Sequence, residues 1–200
     1  NFTFHSQMKA RKARDKGRLA KEIIAVPIPS KENPNALFEK DEFIKPSTST
    51  EKLSTLKAAF KKDGSVTAGN SSGLNDGAVA VLLASQNGID KHQLKPLARI
   101  VSSAVVGVEP RIMGIGPVEA SKKALQKAGL TLQDMDVIEI NEAFAAQSLA
   151  CLRLLNIEDN DTRVNPNGGA IALGHPLGMT GARIVYSAAL ELHEHNKKYA

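Results

Sequence analysis

Tryptophan is absent from this 200-residue chain, cysteine occurs once, and aromatic residues make up only 4%. One thiol cannot build a disulfide framework, and it fits a reducing compartment. The expected setting is the bacterial cytoplasm or an organelle matrix. The scarcity of aromatics makes the core mostly aliphatic. It also leaves no stacking platform beside the basic residues, so nucleic acid is not the expected partner. No apolar run approaches the roughly 20 residues that cross a bilayer. There is no signal-peptide pattern, and the first residue is Asn rather than Met. The opening residues have the character of mid-helix, so a fragment or processed piece is expected.

What is present is ordinary globular material, 42% hydrophobic and 24% charged, with a net charge of +5. The excess sits in Lys9, Arg11, Lys12, Arg14, Lys16, Arg18 and Lys21, set against Asp15 and Glu22. Such a run serves either as a solvated helix face or as an attractor for an anionic ligand such as a phosphorylated cofactor.

Periodicity and punctuation divide the chain. A helix is expected over 4–16, closed by Gly17, then a short strand at Ile23-Ile24-Ala25-Val26. Residues 30–65 are loop-rich, with a short helix at 50–60. The turn-rich stretch from Thr67 to Gly77 runs into an apolar run, Ala78 to Ala84, which has a buried-strand pattern. Strands are also expected at 97–106, 137–140 and 170–173. Helices are expected after Gly116-Pro117 up to Gly129, from Glu142 to Leu155, and over 178–195. Alternating strands and helices indicate an α/β fold, with a parallel or mixed sheet covered on both faces.

Asn165-Pro166-Asn167-Gly168-Gly169-Ala170-Ile171-Ala172-Leu173-Gly174-His175-Pro176-Leu177-Gly178 is the most informative stretch. Four glycines and two prolines frame one histidine. Pro176 restricts the backbone of His175, and Gly174 admits a close neighbour. Asn141-Glu142-Ala143-Phe144-Ala145 repeats the arrangement: an apolar run, a polar residue, then a helix. Asn141 suits a helix N-cap. It also suits an oxyanion-stabilising partner for His175, because right-handed crossovers would bring both to one sheet edge. Cys151 falls on the core face of its helix and is expected to be inert. His193 and His195 are two apart and diverge on a helix, which argues against a metal site. Gly168-Gly169 and Gly114-Ile115-Gly116-Pro117 lack the patterns of phosphate-binding loops.

Asn165 to Arg183, Asn141 to Ala145, Thr67 to Gly77 and Met113-Gly114-Ile115-Gly116-Pro117 together resemble the C-terminal half of a thiolase, an acyl-CoA acyltransferase. The resemblance implies a layered αβα fold with a mixed sheet, here incomplete. Residues 1–73 would be the remainder of a coenzyme A-binding loop domain. Residues 74–95 would end the N-terminal domain, and 96–200 would be the C-terminal domain without its final strands. The implied activity is thiolysis of 3-ketoacyl-CoA, or the reverse Claisen condensation, with the acyl group carried on a cysteine. Coenzyme A or acyl-CoA would be substrate, with no permanently bound cofactor and no metal. The intact enzyme would be a homodimer or homotetramer.

Residue by residue, His175 resembles the histidine that activates the nucleophile and lines an oxyanion hole. Asn141 resembles the residue holding that hole's water. Ser72 matches the serine on the pantetheine arm, Met113 and Phe144 match apolar residues at the tunnel's reactive end, and Lys45 falls near the adenosine phosphates. Ser71 and Met179 stand where alanine is commoner. Both catalytic cysteines of the family would lie outside this chain, so the isolated chain is expected to be inactive. Arg163 to Gly169 resembles the degradative and 3-oxoadipyl-CoA branches. Two other readings stay open: a non-catalytic acyl-CoA or lipid-binding relative, and a ketoacyl synthase. The latter should show a second active-site histidine, and only His175 sits in a suitable turn.

Overall fold

A computed structural model describes residues 1–200. Its frame is helical. Helix α1 spans Phe2–Asp15, with Gly17 just beyond its end in the left-handed region. Strands β1, Val26–Pro27, and β2, Leu37–Phe38, form a short antiparallel ribbon, and α2 covers Thr50–Ser54. Helix α3 is Gln86–His92, α4 is Gly116–Ala128 and α5 is Ala145–Leu154. A single buried turn, α6, Ala170–Leu173, precedes the long α7, Leu177–Glu194. No helix is long and apolar enough to cross a membrane.

Two clusters make the core. One joins Val118 of α4 to Cys151 and Leu152 of α5, then to Leu155, Ile157 and Val164. The other sets Ala10 and Ala13 of α1 against Ala172 of α6, with Leu19 and Ile44. Small residues let α1 and α6 approach closely, which anchors the chain just before His175. The second cluster stabilises through tight packing rather than area, since alanine buries little apolar surface.

The strand expectations need correction. Residues 170–173 are helical, not extended. Gly169 precedes the turn in an extended conformation, Gly174 ends it at φ +89°, and the run between them is too short to distinguish by periodicity. The strand at 23–26 contracts to Val26–Pro27. The strand at 137–140 is one parallel bridge, Ile138 to Val164, with Ile138 N–H donating to Arg163 O at 2.9 Å. Residues 78–84 pair with nothing, and Leu82 and Leu83 are 78% and 72% exposed. Residues 101–109 alternate exposed and half-buried. That is the pleat of a strand lying one face on α4, where the Ser102 hydroxyl donates to Ala124 O at 2.8 Å. No ladder forms there, because no neighbouring strand is present to accept it.

Candidate functional site

His175 occupies the short link between α6 and α7, so it follows a helical turn rather than a strand end. Three features fix it. Gly174 takes a positive φ that side-chain-bearing residues rarely adopt. Pro176 caps α7. The His175 N–H donates to Gly73 O at 3.3 Å, which ties the link to the turn-rich stretch. Asn141 follows the bridge segment. Helix α5 begins only at Ala145, with Phe144 at the N-cap position, so the capping role of Asn141 is overturned and its side chain is free for other work.

That side chain meets the imidazole. Asn141 Nδ2 lies 3.2 Å from His175 Nε2. On the other side of the ring, Nδ1 lies 2.8 Å from Thr180 Oγ1. The Thr180 hydroxyl donates its hydrogen to Pro176 O at 2.9 Å, so its oxygen can only accept from the ring. The proton of the neutral imidazole therefore sits on Nδ1, and Nε2 presents a lone pair that accepts from Asn141. Burial, and then the Arg183 charge, hold the His175 pKa below the usual histidine value, which keeps the ring neutral and basic at Nε2. Asn141 Oδ1 is buried with no partner. A buried acceptor left open in this way is costly unless something fills it, and a water or ligand donor would.

The remaining candidates ring this pair unevenly. Ser72 N–H donates to Ala143 O at 3.0 Å, while Ser71 bridges Phe144. Phe144 packs edge-to-face on Phe60, centroids 6.1 Å apart. Met113 is 75% exposed, in a 3₁₀ turn whose Gly114 carbonyl accepts from Gln147 Nε2 at 2.9 Å. Lys45 holds its ammonium 4.6 Å over the Phe43 ring, and its N–H donates to Gln7 Oε1 at 2.8 Å. Phe43 in turn lies against Gly73, where an added Cβ would fall 2.6 Å from Phe43 Cε2. Through Gly73 the chain thus connects Lys45, Ser72 and His175. Met113 joins only by way of α5. An open cleft of about 470 Å³, lined by residues 75–79, 176–179 and 182, lies beside the histidine link.

Cys151 is fully buried, with its thiol pKa pushed up by burial. It donates to Gly114 O at 3.2 Å and accepts from Gln147 at 3.4 Å. It is a core group. Sequence reasoning missed Thr180 and Asn75. The signal for Thr180 was a hydroxyl in the first turn of the helix that follows the histidine. Asn75 carried no signal: its buried, unpartnered Oδ1 and its approach to Gly174 arise from tertiary contact.

Two family models match the sequence: "Thiolase, N-terminal domain" over residues 1–87 and "Thiolase, C-terminal domain" over 94–200. The chain is 54% identical over 199 residues to the beta-ketoadipyl-CoA thiolase of Acinetobacter baylyi, covering 100% of this chain and 50% of that protein. It is 51% identical over 200 residues to the 3-oxoadipyl-CoA/3-oxo-5,6-dehydrosuberyl-CoA thiolase of Escherichia coli K12, with 100% and 50% covered. The chain thus spans about half the length of these curated relatives. Among solved structures, human mitochondrial 3-ketoacyl-CoA thiolase superposes with a TM-score of 0.91 at 47% identity, covering 98% of this chain and 49% of that one. Its complex with CoA superposes equally well, at 46% identity, with 98% and 48% covered.

Proposed function

This chain belongs to the thiolase family, and from that premise we propose that it supplies the histidine–asparagine side of a thiolase active site. The reaction is transfer of an acyl group between a cysteine and coenzyme A, as thiolysis of a 3-ketoacyl-CoA or as its reverse. The observation that carries this reading is the Thr180–His175–Asn141 relay, with its proton on Nδ1 and its lone pair on Nε2. A neutral imidazole held in that tautomer is a base whose lone pair on Nε2 takes a proton once the Asn141 amide gives way. In the proposed cycle, Nε2 takes the proton of an incoming thiol, either the acyl-carrying cysteine or coenzyme A itself. The resulting Nε2–H then faces the thioester oxygen as it gains charge. A water held by Asn141 Oδ1 gives the second donor. Donors already in place avoid reorganisation as the oxyanion forms.

Ser72, Lys45, Phe144 and Met113 are proposed to meet coenzyme A and its acyl chain. The basic face of α1 lends long-range attraction for the phosphates. The acyl-carrying cysteine is not among these residues, since Cys151 is packed in the core. The division into 1–73, 74–95 and 96–200 remains a proposal alongside the function. For substrate we propose a 3-oxodicarboxylic acyl-CoA, on the strength of the beta-ketoadipyl-CoA and 3-oxoadipyl-CoA relatives. Comparing 3-oxoadipyl-CoA with acetoacetyl-CoA as thiolysis substrates tests that preference.

The test of the function is His175→Ala in the thiolase that carries these residues. Thiolysis should fall about 10³-fold while coenzyme A still binds, because base and oxyanion donor are lost together. Undiminished turnover would reject the assignment of His175 as base and oxyanion donor.

A further inference from the structure

The carboxylate next to Asn141 is buried more completely than either member of the proposed pair. Glu142 is 1% exposed and is hydrogen-bonded by three separate parts of the chain. Oε2 accepts from Ser6 Oγ on α1 at 2.6 Å and from the Ile171 N–H on α6 at 3.2 Å. Oε1 accepts from Asn165 Nδ2 at 2.9 Å. Ser6 Oγ also accepts from the Gly169 N–H at 3.1 Å, so one hydroxyl serves both the carboxylate and the start of α6. Asn165 continues the network back toward Asn141: its amide gives and takes hydrogen bonds with the Ile140 backbone, at 2.9 and 2.8 Å. Residue 169 has no room for a side chain, because a Cβ there would lie 2.5 and 2.6 Å from the two carboxylate oxygens.

All three groups bonded to this carboxylate are donors. That set suits an ionised carboxylate, and it opposes the burial that pushes the Glu142 pKa up. The arrangement also has a direction. Glu142 is joined covalently to Asn141. Through Ile171 it holds α6, a rigid turn that ends at the Gly174–His175 link. Two side chains that must meet within 3.2 Å are thus referred to one buried point.

Resting on the thiolase reading of His175 and Asn141, we propose that Glu142, with Ser6 and Asn165, is a positioning residue. It sets the register of Asn141 against Nε2 of His175, while Thr180 keeps the proton on Nδ1. It touches no reacting atom.

Glu142→Gln is the sharpest variant, because it keeps the shape and removes the match. Whichever oxygen becomes NH2 faces a donor: Asn165 Nδ2 on one side, Ser6 and Ile171 on the other. Two measurements are made on the thiolase carrying these residues: ¹⁵N NMR of the His175 ring nitrogens, and steady-state thiolysis. Wild type should show one neutral tautomer with the proton on Nδ1. In Glu142→Gln the Nδ1 proton should stay in place while the Nε2 resonance moves as the Asn141 hydrogen bond loosens, and kcat should fall by about 10- to 100-fold. KM for coenzyme A should stay within about twofold, because that group binds elsewhere. Ser6→Ala, which removes one donor and leaves the carboxylate, should move both readouts less and in the same direction. It decides the matter by the same criteria if Glu142→Gln does not fold.

A wild-type Nε2 resonance in the variant overturns the proposal, whether kcat is unchanged or has dropped along with stability, since the group would then be packing alone. If His175→Ala leaves turnover intact, the functional reading fails instead, and the NMR measurement still judges the clamp.

Discussion

Ala78–Ala84 and Val137–Ile140 are the same kind of sequence, short aliphatic runs that read as buried strands. The molecule treats them oppositely. Val137 is fully buried. Its N–H donates to Tyr199 O, and its neighbour Ile138 bridges Val164. Leu82 and Leu83 stand largely in solvent. The difference extends outward from each run: none of the 30 buried residues falls between Lys45 and Pro117. Apolar composition states a demand for cover. Whether the demand is met depends on a partner that the run itself does not encode. The well-met region is also where His175, Asn141 and Glu142 sit, which gives the proposed reactive pair rigid support.

The contrast can be tested by how much each region resists change. The largest effect should come from Leu152→Ala in α5. Leu152 is 1% exposed in the larger cluster, and truncation leaves a cavity, so unfolding free energy should drop by about 3 to 4 kcal/mol in a denaturant titration. Next comes Gly169→Ala. The added methyl meets a carboxylate pinned by three donors, and about 2 to 3 kcal/mol should be lost as α6 shifts. A loss under about 0.5 kcal/mol would show that this region yields more easily than its packing implies.

A third test uses acidity. The half-buried Glu139 carboxyl is pushed up to about 8, by burial first, with the Arg183 charge opposing. The folded form therefore keeps a proton that the unfolded chain releases near 4.5. The associated stability is fully present below about pH 4.5 and is lost as pH rises through about 8. Glu139→Gln should flatten that decline and leave the variant roughly 2 kcal/mol more stable than wild type at pH 8.5, after allowance for partial exposure. Parallel stability–pH curves for the two proteins would contradict this.

Helices were the legible part of the fold. α1, α4, α5 and α7 all fall where they were expected, and left-handed glycines, Gly17 and Gly129, follow α1 and α4. The meeting of His175 and Asn141 was legible too, though by a partly mistaken route: one of the two supposed strand ends is a helical turn. Ala170 to Leu173 misled because four apolar residues fit either form, and Ala10 and Glu142, far away in sequence, decided it. Glu142 carried no local signal of its role. Its burial depends on Ser6, Asn165 and Ile171, and no local pattern joins those four positions.

The smallest expected effect belongs to the open region. In the double variant Leu82→Ser and Leu83→Ser, both side chains are already mostly hydrated, so little transfer energy is at stake. Unfolding free energy should move by less than about 0.5 kcal/mol. Association is another matter. An apolar run with unpaired backbone groups offers both a sticky face and an edge for strand pairing. Wild type should therefore self-associate with rising concentration in light scattering, and the double variant should do so less at equal stability. A loss above about 1 kcal/mol would mean that the two leucines are covered in solution, and the contrast with Val137 would then be one of degree.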